Sequence, residues 1–309
     1  VPVDFVIDNP KFFAEISKML KDISVDDWKS YLTWNVVNRY SSYLSNAFVE
    51  NDFNFYTKKL SGNNVNQPRW QRVANSANFA IGELVGQIFV EENFPPIAKQ
   101  KMVDLIANLK LAFKERFTNL SWMSDETKKK AIEKLETMVV KVGYPDKWKD
   151  YSNLEISRDS YAKNIKNASV FGFRDNMNKL GKPVDRTEWG MTPQTVNAYY
   201  NPSMNEIVFP AGILQPPFFN MNADDAINYG GIGVVIGHEM THGFDDQGRN
   251  FDKNGNLTNW WTKDDSAKFK SLTQILVDQY HRFIAIDTLH LDGNLTLGEN
   301  LADYGGLTM

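Results

Sequence analysis

Apolar side chains recur every three or four residues through much of the first half of the chain, a pattern that predicts helices. The pair Asn9-Pro10 is typical of a helix start, and Phe13, Ile16 and Leu20 follow it on one face. The sequence therefore predicts a helix that begins close to residue 10.

Three more helices follow from the same periodicity and from capping residues. Ser24, with Asp27 three residues later, marks one helix start, and Ser124 marks another. Between them a single apolar stripe consists of Val103, Ile106, Leu109, Phe113 and Phe117. The predicted buried face of the helix after Ser124 consists of Ala131, Ile132, Leu135 and Val139.

The pattern changes between about residues 143 and 186, where helical periodicity weakens and turn residues increase. This change predicts a boundary near residue 155, with a helical domain over residues 1–155 and a second domain over 156–309. In the second domain, residues 195–200 and 206–209 have strand composition on either side of an Asn-Pro-Ser turn, which predicts a β-hairpin. We expect a fold that is mainly α-helical with a small β-sheet.

A long apolar helix is predicted from Asp224 to about Phe244. Its interior contains Gly230, Gly231, Gly233 and Gly237, and each glycine inside a helix costs ~1 kcal/mol relative to alanine. This cost predicts that another element approaches the helix closely. Thr262 and Asp265 predict the start of a further helix, and a last one is expected near Leu297. The apolar positions predicted to continue the helix after Thr262 are Leu272, Ile275, Leu276, Tyr280 and Phe283.

The composition is that of an ordinary globular protein, with 309 residues of which 42% are hydrophobic and 23% charged. The formal net charge of −4 gives no electrostatic reason to bind nucleic acid or an anionic membrane. The chain has no cysteine, which excludes disulfides and cysteine-ligated metals. Its apolar runs fall short of the ~20 residues that cross a bilayer, so no transmembrane segment is expected.

An H-E-x-x-H motif, His238-Glu239-Met240-Thr241-His242, lies in the predicted long helix. Residues four apart lie ~40° apart around a helix, so the two imidazoles can face one metal ion. The glutamate falls on the neighbouring face, within reach of a metal-activated water. This is the arrangement of a zinc peptidase helix. A structural zinc site would need four protein ligands and normally uses cysteine, which is absent here.

A catalytic zinc needs a third protein ligand. The candidates are His281, His290 and Glu299, and Glu299 is the best of them because Asp303 lies four residues later on the same predicted helix face. Glu299 could bind the metal while Asp303 accepts an N–H from a ligand imidazole. Spacing alone leaves open that the two acids are ordinary surface residues.

These residues belong to longer segments that resemble the neprilysin-like family of zinc endopeptidases, which includes endothelin-converting enzymes and bacterial oligopeptidase O. The segments are GKPVDRTEW (181–189), VNAYY (196–200), IVFPAGILQPPFF (207–219), GHEMTHGFDD (237–246) and GENLAD (298–303). The likeness covers about residues 181–309. It implies a thermolysin-like catalytic domain over 156–309 beside part of the family's helical domain over 1–155.

The resemblance also implies a mechanism. Zinc held by His238, His242 and Glu299 would polarise the scissile carbonyl and acidify its water. Glu239 would take the proton of that water and deliver it to the leaving amine. Asp303 would orient a ligand histidine.

Asn197 and Ala198 match the family's substrate-binding edge strand, where the Asn side chain and the main chain at Ala hold the peptide backbone. An extended peptide can add to a sheet edge through main-chain hydrogen bonds, which suits oligopeptide substrates. Members of the family are longer at both ends, and a segment beyond the Glu-ligand helix supplies them with a His and an Arg that act on the oxyanion and the substrate. We therefore expect this chain to be an internal fragment of a larger protein.

The expected function is that of a zinc-dependent endopeptidase that hydrolyses oligopeptides. The alternative is a catalytically incomplete, zinc-loaded module that binds peptides or proteins, and a hydrolase of a non-peptide substrate ranks third. The family's eukaryotic ectodomains are rich in disulfides, so the absence of cysteine favours a bacterial member. The first residue, Val1, favours a processed start, and hence export to the periplasm or cell surface over the cytoplasm.

Overall fold

Helices dominate the chain, and the strands between them are short. The computed structural model describes residues 6–309. Its α-helices up to residue 137 are α1 (Pro10–Asp22), α2 (Val25–Tyr40), α3 (Asn46–Asp52), α4 (Arg69–Ala80), α5 (Gly82–Asn93), α6 (Pro96–Asn119) and α7 (Asp125–Thr137). Later ones are α8 (Tyr161–Met177), α9 (Asp225–Asn228), α10 (Val234–His242), α11 (Lys263–Tyr280) and α12 (Leu297–Thr308). The expectation of a mainly α-helical fold with a small β-sheet is confirmed.

Side-chain caps explain why several helices begin where they do. The hydroxyls of Ser24, Ser124 and Thr262 each accept a hydrogen bond from the backbone N–H three residues later. Each cap satisfies one of the helix N–H groups that have no partner within the helix. These three predicted starts, and the start at Pro10, are confirmed.

Two predictions about the first half are wrong in detail. Helix α7 ends at Thr137, and Val139 is not on its buried face but begins strand β1 (Val139–Gly143), where it is 42% exposed. Val103 is 41% exposed on α6, although the rest of the predicted stripe is buried. The region after residue 143 also contains a helix, α8, which periodicity missed because Ala168 is its one buried residue among those described.

The chain divides by packing into two compact units. One consists of the described residues up to Gly82 together with Lys149–Asp185, and the other of Glu83–Trp148 together with Arg186–Met309. Each of these units consists of two separate segments of the chain, whereas each predicted domain is one continuous range. The domains at 1–155 and 156–309 remain a prediction. All the predicted site residues lie in the second unit.

The second unit contains a three-stranded sheet with the order β1-β3-β2. Strand β2 (Tyr199–Asn201) pairs antiparallel with β3 (Glu206–Pro210), which confirms the predicted hairpin, although β2 begins later than residue 195. Strand β1 pairs parallel with β3 on its other side. Strand β2 is therefore at an edge of this sheet. A separate hairpin is formed by β4 (Ile284–Ile286) and β5 (Leu289–His290).

The core of this unit packs α6, α7, the sheet and α10 together. Its completely enclosed side chains include Met102, Ile106, Leu135, Ile207, Phe209, Ile232, Ile236 and Met240. The predicted buried face of α11 is wrong. Leu272 and Ile275 are 45% and 65% exposed, and Phe283 lies beyond the end of the helix. What it buries is Val277, Thr273 and the capping carboxylate of Asp265, which also accepts hydrogen bonds from Ser124.

The predicted long helix forms as three consecutive pieces, with α9 and α10 joined by the π-helical segment Tyr229–Gly233. The expected close approach is confirmed at Gly237, where an added β-carbon would lie 2.8 Å from the Cα of Gly306 on α12. Backbone meets backbone there, so α12 is held against α10 at the level of the H-E-x-x-H motif. Along residues 6–309, no helix combines the length and apolar character needed to cross a bilayer.

Candidate metal centre

Helix α10 presents the two histidines of the motif on one face, as the spacing predicts. His238 and His242 have their Nε2 atoms 2.9 Å apart. Their rings meet edge to face, with centroids 4.6 Å apart. Four residues separate them, so one helical turn of α10 fixes this geometry.

Helix α12 adds the third group. The Oε2 of Glu299 lies 3.3 Å from Nε2 of His238 and 3.6 Å from Nε2 of His242. The three residues offer ligand atoms that all lie within 4.8 Å of one another. Of the alternatives, His281 faces Asp292 and His290 contacts the backbone oxygen of His281, so neither joins this group.

Both imidazoles have their other nitrogen hydrogen-bonded to a carboxylate. Nδ1 of His238 lies 2.9 Å from Oδ1 of Asp303, the partner predicted from the sequence, and Nδ1 of His242 lies 2.7 Å from Oδ2 of Asp245. These bonds favour the tautomer in which each Nδ1 carries the proton. The Nε2 lone pairs then face each other at short range, beside a carboxylate oxygen. Such an arrangement favours a cation between them, and two imidazoles with a carboxylate suit zinc.

Asp245 is a site residue that the sequence analysis missed. It lies three residues beyond His242, where α10 has ended and the chain turns back. Its Oδ1 accepts the backbone N–H groups of Gln247 and Gly248, which fixes the carboxylate against the histidine. The available signal was its place inside the GHEMTHGFDD segment, directly after the motif. Burial works to lower the pKa of His242, but Asp245 and the nearby glutamates outweigh it and raise the pKa.

Glu239 is almost fully buried beside the two histidines, with 5% of its surface exposed. Burial raises the pKa of its carboxyl to about 7, with Glu299 adding to the rise and His242 and the backbone N–H of Tyr200 opposing it. A carboxylate with a pKa near neutral is well suited to accept and return a proton.

A cavity of about 420 Å³ opens over these groups. Asn197 and Ala198 line it, and they lie directly before strand β2 rather than within it. The Oδ1 of Asn197 accepts the N–H of Ala198 at 2.8 Å. The other residues around the cavity are Tyr199, Tyr200, Pro202, His238, Glu239, His242, Asp245, Gln247, Gly248 and Glu299.

Comparison with known proteins is consistent with this geometry. The sequence models of peptidase family M13 match residues 2–145 and 197–309. The chain belongs to peptidase family M13. It is 40% identical to an endothelin-converting enzyme homolog of Locusta migratoria and 39% identical to human neprilysin, in both cases over 98% of its own length.

Solved structures of M13 relatives share the fold. The chain superposes on the zinc metalloprotease ZMP1 of Mycobacterium tuberculosis with a TM-score of 0.92 at 43% identity, covering 98% of this chain and 47% of that one. The corresponding values for PepO of Lactobacillus rhamnosis are 0.86 and 32%, covering 94% and 47%. The expected neprilysin-like family and thermolysin-like fold are confirmed. The chain spans about two fifths of the length of the curated relatives, 43% and 42% of the two named here.

Proposed function

We propose that this chain carries the catalytic centre of a zinc-dependent endopeptidase that hydrolyses oligopeptides. The observation that carries the proposal is the convergence of His238, His242 and Glu299 from two helices, with Glu239 buried beside them. Membership of a peptidase family supports the reaction class.

The three ligand groups fit zinc because they are two neutral imidazoles and one carboxylate, the donor set of several catalytic zinc sites. When bound, zinc supplies Lewis acidity, which polarises the scissile carbonyl and acidifies a water. The protein's part is to hold the ligands, and Asp303 and Asp245 do so by accepting the Nδ1 protons of His238 and His242.

Glu239 acts as the general base in this proposal. Its carboxylate accepts a proton from the attacking water and returns it to the nitrogen of the leaving amine, so the same group serves both halves of the reaction. Its burial in the cavity wall supports this role, because a desolvated carboxylate holds a proton more readily than an exposed one.

Asn197 and Ala198 hold the substrate backbone in the proposal. They line the cavity just before β2, which is the edge strand of its sheet. An extended peptide can continue the hydrogen-bonding pattern of such an edge without demanding particular side chains.

The test uses internally quenched peptides with the wild-type chain, a chelator and the Glu239→Ala variant. General acid–base catalysis contributes ~10²–10⁴-fold, so we expect the variant to lose at least 100-fold in turnover while it still binds zinc. Glu136→Ala, which changes an exposed carboxylate paired with Lys114, serves as the matched control and should retain full activity.

Each outcome has a distinct meaning. Hydrolysis that persists in Glu239→Ala would refute the general-base role, and hydrolysis that survives complete zinc removal would refute the metal's role. Zinc and peptide binding without any cleavage by the wild-type chain would favour the alternative, a zinc-loaded binding module.

A further inference from the structure

Lys134 on α7 is completely enclosed, which is unusual for a lysine, with 1% of its surface exposed. Its Nζ donates hydrogen bonds to the backbone oxygens of Gly243, Gly248 and Phe251, each at 2.7 Å. An ammonium has three N–H donors, so these three carbonyls use all of them. Desolvation lowers the pKa of Lys134 to about 7, while the charges of Asp245 and Asp252 act to raise it.

The three carbonyls belong to residues 243–251, the loop that follows the H-E-x-x-H helix. The loop folds back so tightly that a β-carbon at Gly248 would collide with the backbone oxygen of His242. Its Asp245 is the residue that accepts the Nδ1 proton of His242. Lys134 therefore fixes both ends and the middle of the loop that aims Asp245 at a proposed zinc ligand.

Lys134 is also connected, through its main chain, to a second residue of the cavity wall. Its backbone oxygen accepts a hydrogen bond from Nδ2 of Asn205 at 3.0 Å, and the hydroxyl of Tyr200 donates to Oδ1 of Asn205 at 3.2 Å. Tyr200 lines the cavity, and its ring centroid is 5.7 Å from the Lys134 Nζ. One residue thus joins the loop behind His242 to the strand that borders the substrate cavity.

We propose that Lys134 is a positioning residue of the metal centre, which acts through the loop 243–251 and Asp245 to hold His242 in its ligand orientation. This inference rests on the proposed zinc site. The competing explanation is that Lys134 only stabilises the fold. The two differ in whether the ammonium is coupled to zinc binding through Asp245.

The first experiment measures zinc dissociation constants of the full chain by competition with a chromophoric chelator. Hydrogen-bond partners of metal ligands typically affect affinity by ~10–100-fold, so we expect Lys134→Met and Asp245→Ala each to weaken binding by at least ~10-fold. If Lys134 acts through Asp245, the double variant is no more than ~3-fold weaker than Asp245→Ala. Effects that multiply would overturn the proposal.

A matched control separates positioning from general loss of stability. Lys141 is another poorly exposed lysine of the same unit, and its Nζ contacts Glu206 and the backbone oxygen of Glu188, each at 2.8 Å and both outside the loop 243–251. Lys141→Met removes a comparable buried partner, so we expect it to lower the melting temperature but to change the zinc dissociation constant by less than ~2-fold. If Lys141→Met weakens zinc binding as much as Lys134→Met does, the proposal fails.

A second experiment needs no substitution and covers the case in which Lys134→Met does not fold. If loss of the Lys134 hydrogen bonds weakens zinc binding by a given factor, bound zinc must stabilise those hydrogen bonds by the same factor. Amine acylation of the wild-type chain, followed by peptide mass spectrometry, is measured with and without zinc. We expect zinc to slow the labelling of Lys134 at least ~10-fold more than that of Lys141.

Equal protection of the two lysines would show that zinc only stabilises the whole unit, and would overturn the role of Lys134 while leaving the zinc site intact. A wild-type chain without tight zinc binding would instead overturn the proposed function, and the inference with it. The two failures are therefore distinguishable.

Discussion

The close crossing of α10 and α12 makes Gly237→Ala an informative perturbation. In the middle of a helix, a change from glycine to alanine should stabilise by ~1 kcal/mol when nothing obstructs the new methyl group. At Gly237 the methyl would lie 2.8 Å from the Cα of Gly306, and 3.4 Å is the lower end of ordinary contact. The obstructing atom belongs to the backbone of α12, and the methyl group is fixed to the backbone of α10, so no side-chain rotation relieves the overlap.

The structure sets the size of the effect. Relief requires α12 to retreat from α10 by about 0.6 Å at this level. Overpacking of this kind costs ~1–3 kcal/mol, which outweighs the gain in helix propensity. Because α12 carries Glu299, and ligand groups must be held within ~0.5 Å of their productive positions, we also expect zinc affinity to fall by at least ~10-fold.

Two measurements on each protein test this reasoning. Urea unfolding of the metal-free chain gives the change in stability, and chelator competition gives the zinc dissociation constant. The matched control is Gly230→Ala in the same helical run, where an added β-carbon meets nothing within 4 Å. The control should be neutral or stabilising and should bind zinc normally. A Gly237→Ala variant as stable as the wild type, with unchanged zinc affinity, would refute the role assigned to the crossing.

Three further outcomes are expected. Zinc at 100 times its dissociation constant should raise the free energy of unfolding by ~2.7 kcal/mol. A melting temperature that is the same with zinc and with chelator would contradict this prediction. Burial opposes ionisation of Asp265, but hydrogen bonds from Ser124, Thr127 and Thr262 prevail and lower its pKa to about 2. The ionised carboxylate therefore contributes its full stabilisation above about pH 4, and this contribution is lost as the pH falls through 2. In Asp265→Asn, the free energy of unfolding measured with urea should depend less on pH between 4 and 2 than in the wild type. An unchanged pH dependence would contradict this prediction. Asn205 has a φ of 48° and donates to the backbone of Lys134, so Asn205→Ala should cost ~2 kcal/mol in urea unfolding, and a neutral result would show that this turn tolerates strain.

The candidate metal centre was predictable because its signals are local. His238 and His242 are fixed by helical spacing, and Glu299 with Asp303 by the same spacing on a second helix. What brings the two helices together is a long-range contact, and the sequence hinted at it only through the glycines of the first helix. The identity of the partner, Gly306, followed from the structure.

Asp245 shows what local patterns leave out. A hydrogen-bond acceptor beyond the end of a helix has no periodic signature, and its direction depends on how the following loop folds back. Lys134 is a similar case, since a lysine in a helix is normally solvated and its burial depends on three carbonyls more than a hundred residues later along the chain.

The misplaced elements have related causes. Val139 continues the spacing of α7 and so reads as helical, whereas the parallel pairing with β3 that makes it part of β1 involves residues far along the chain. On α11, Leu272 and Ile275 gave the correct periodicity but the wrong buried face, because a polar cap network and Val277 anchor that helix.

The π-helical segment between α9 and α10 sets the direction in which the residues of α10, including the H-E-x-x-H motif, point around the helix axis. Each residue of an α-helix advances the chain by ~100° around the axis, and the wider π turn holds more residues per turn. The N–H of Ile232 within this segment bonds to the backbone oxygen of Phe218, so the wider turn is anchored from outside the helix. Removing a single residue from the regular helical turn between this anchor and His238 would turn His238 and His242 by ~100° relative to Ile232. In this part of the molecule, insertions and deletions are therefore limited by the direction in which the two histidines would point rather than by the change in helix length.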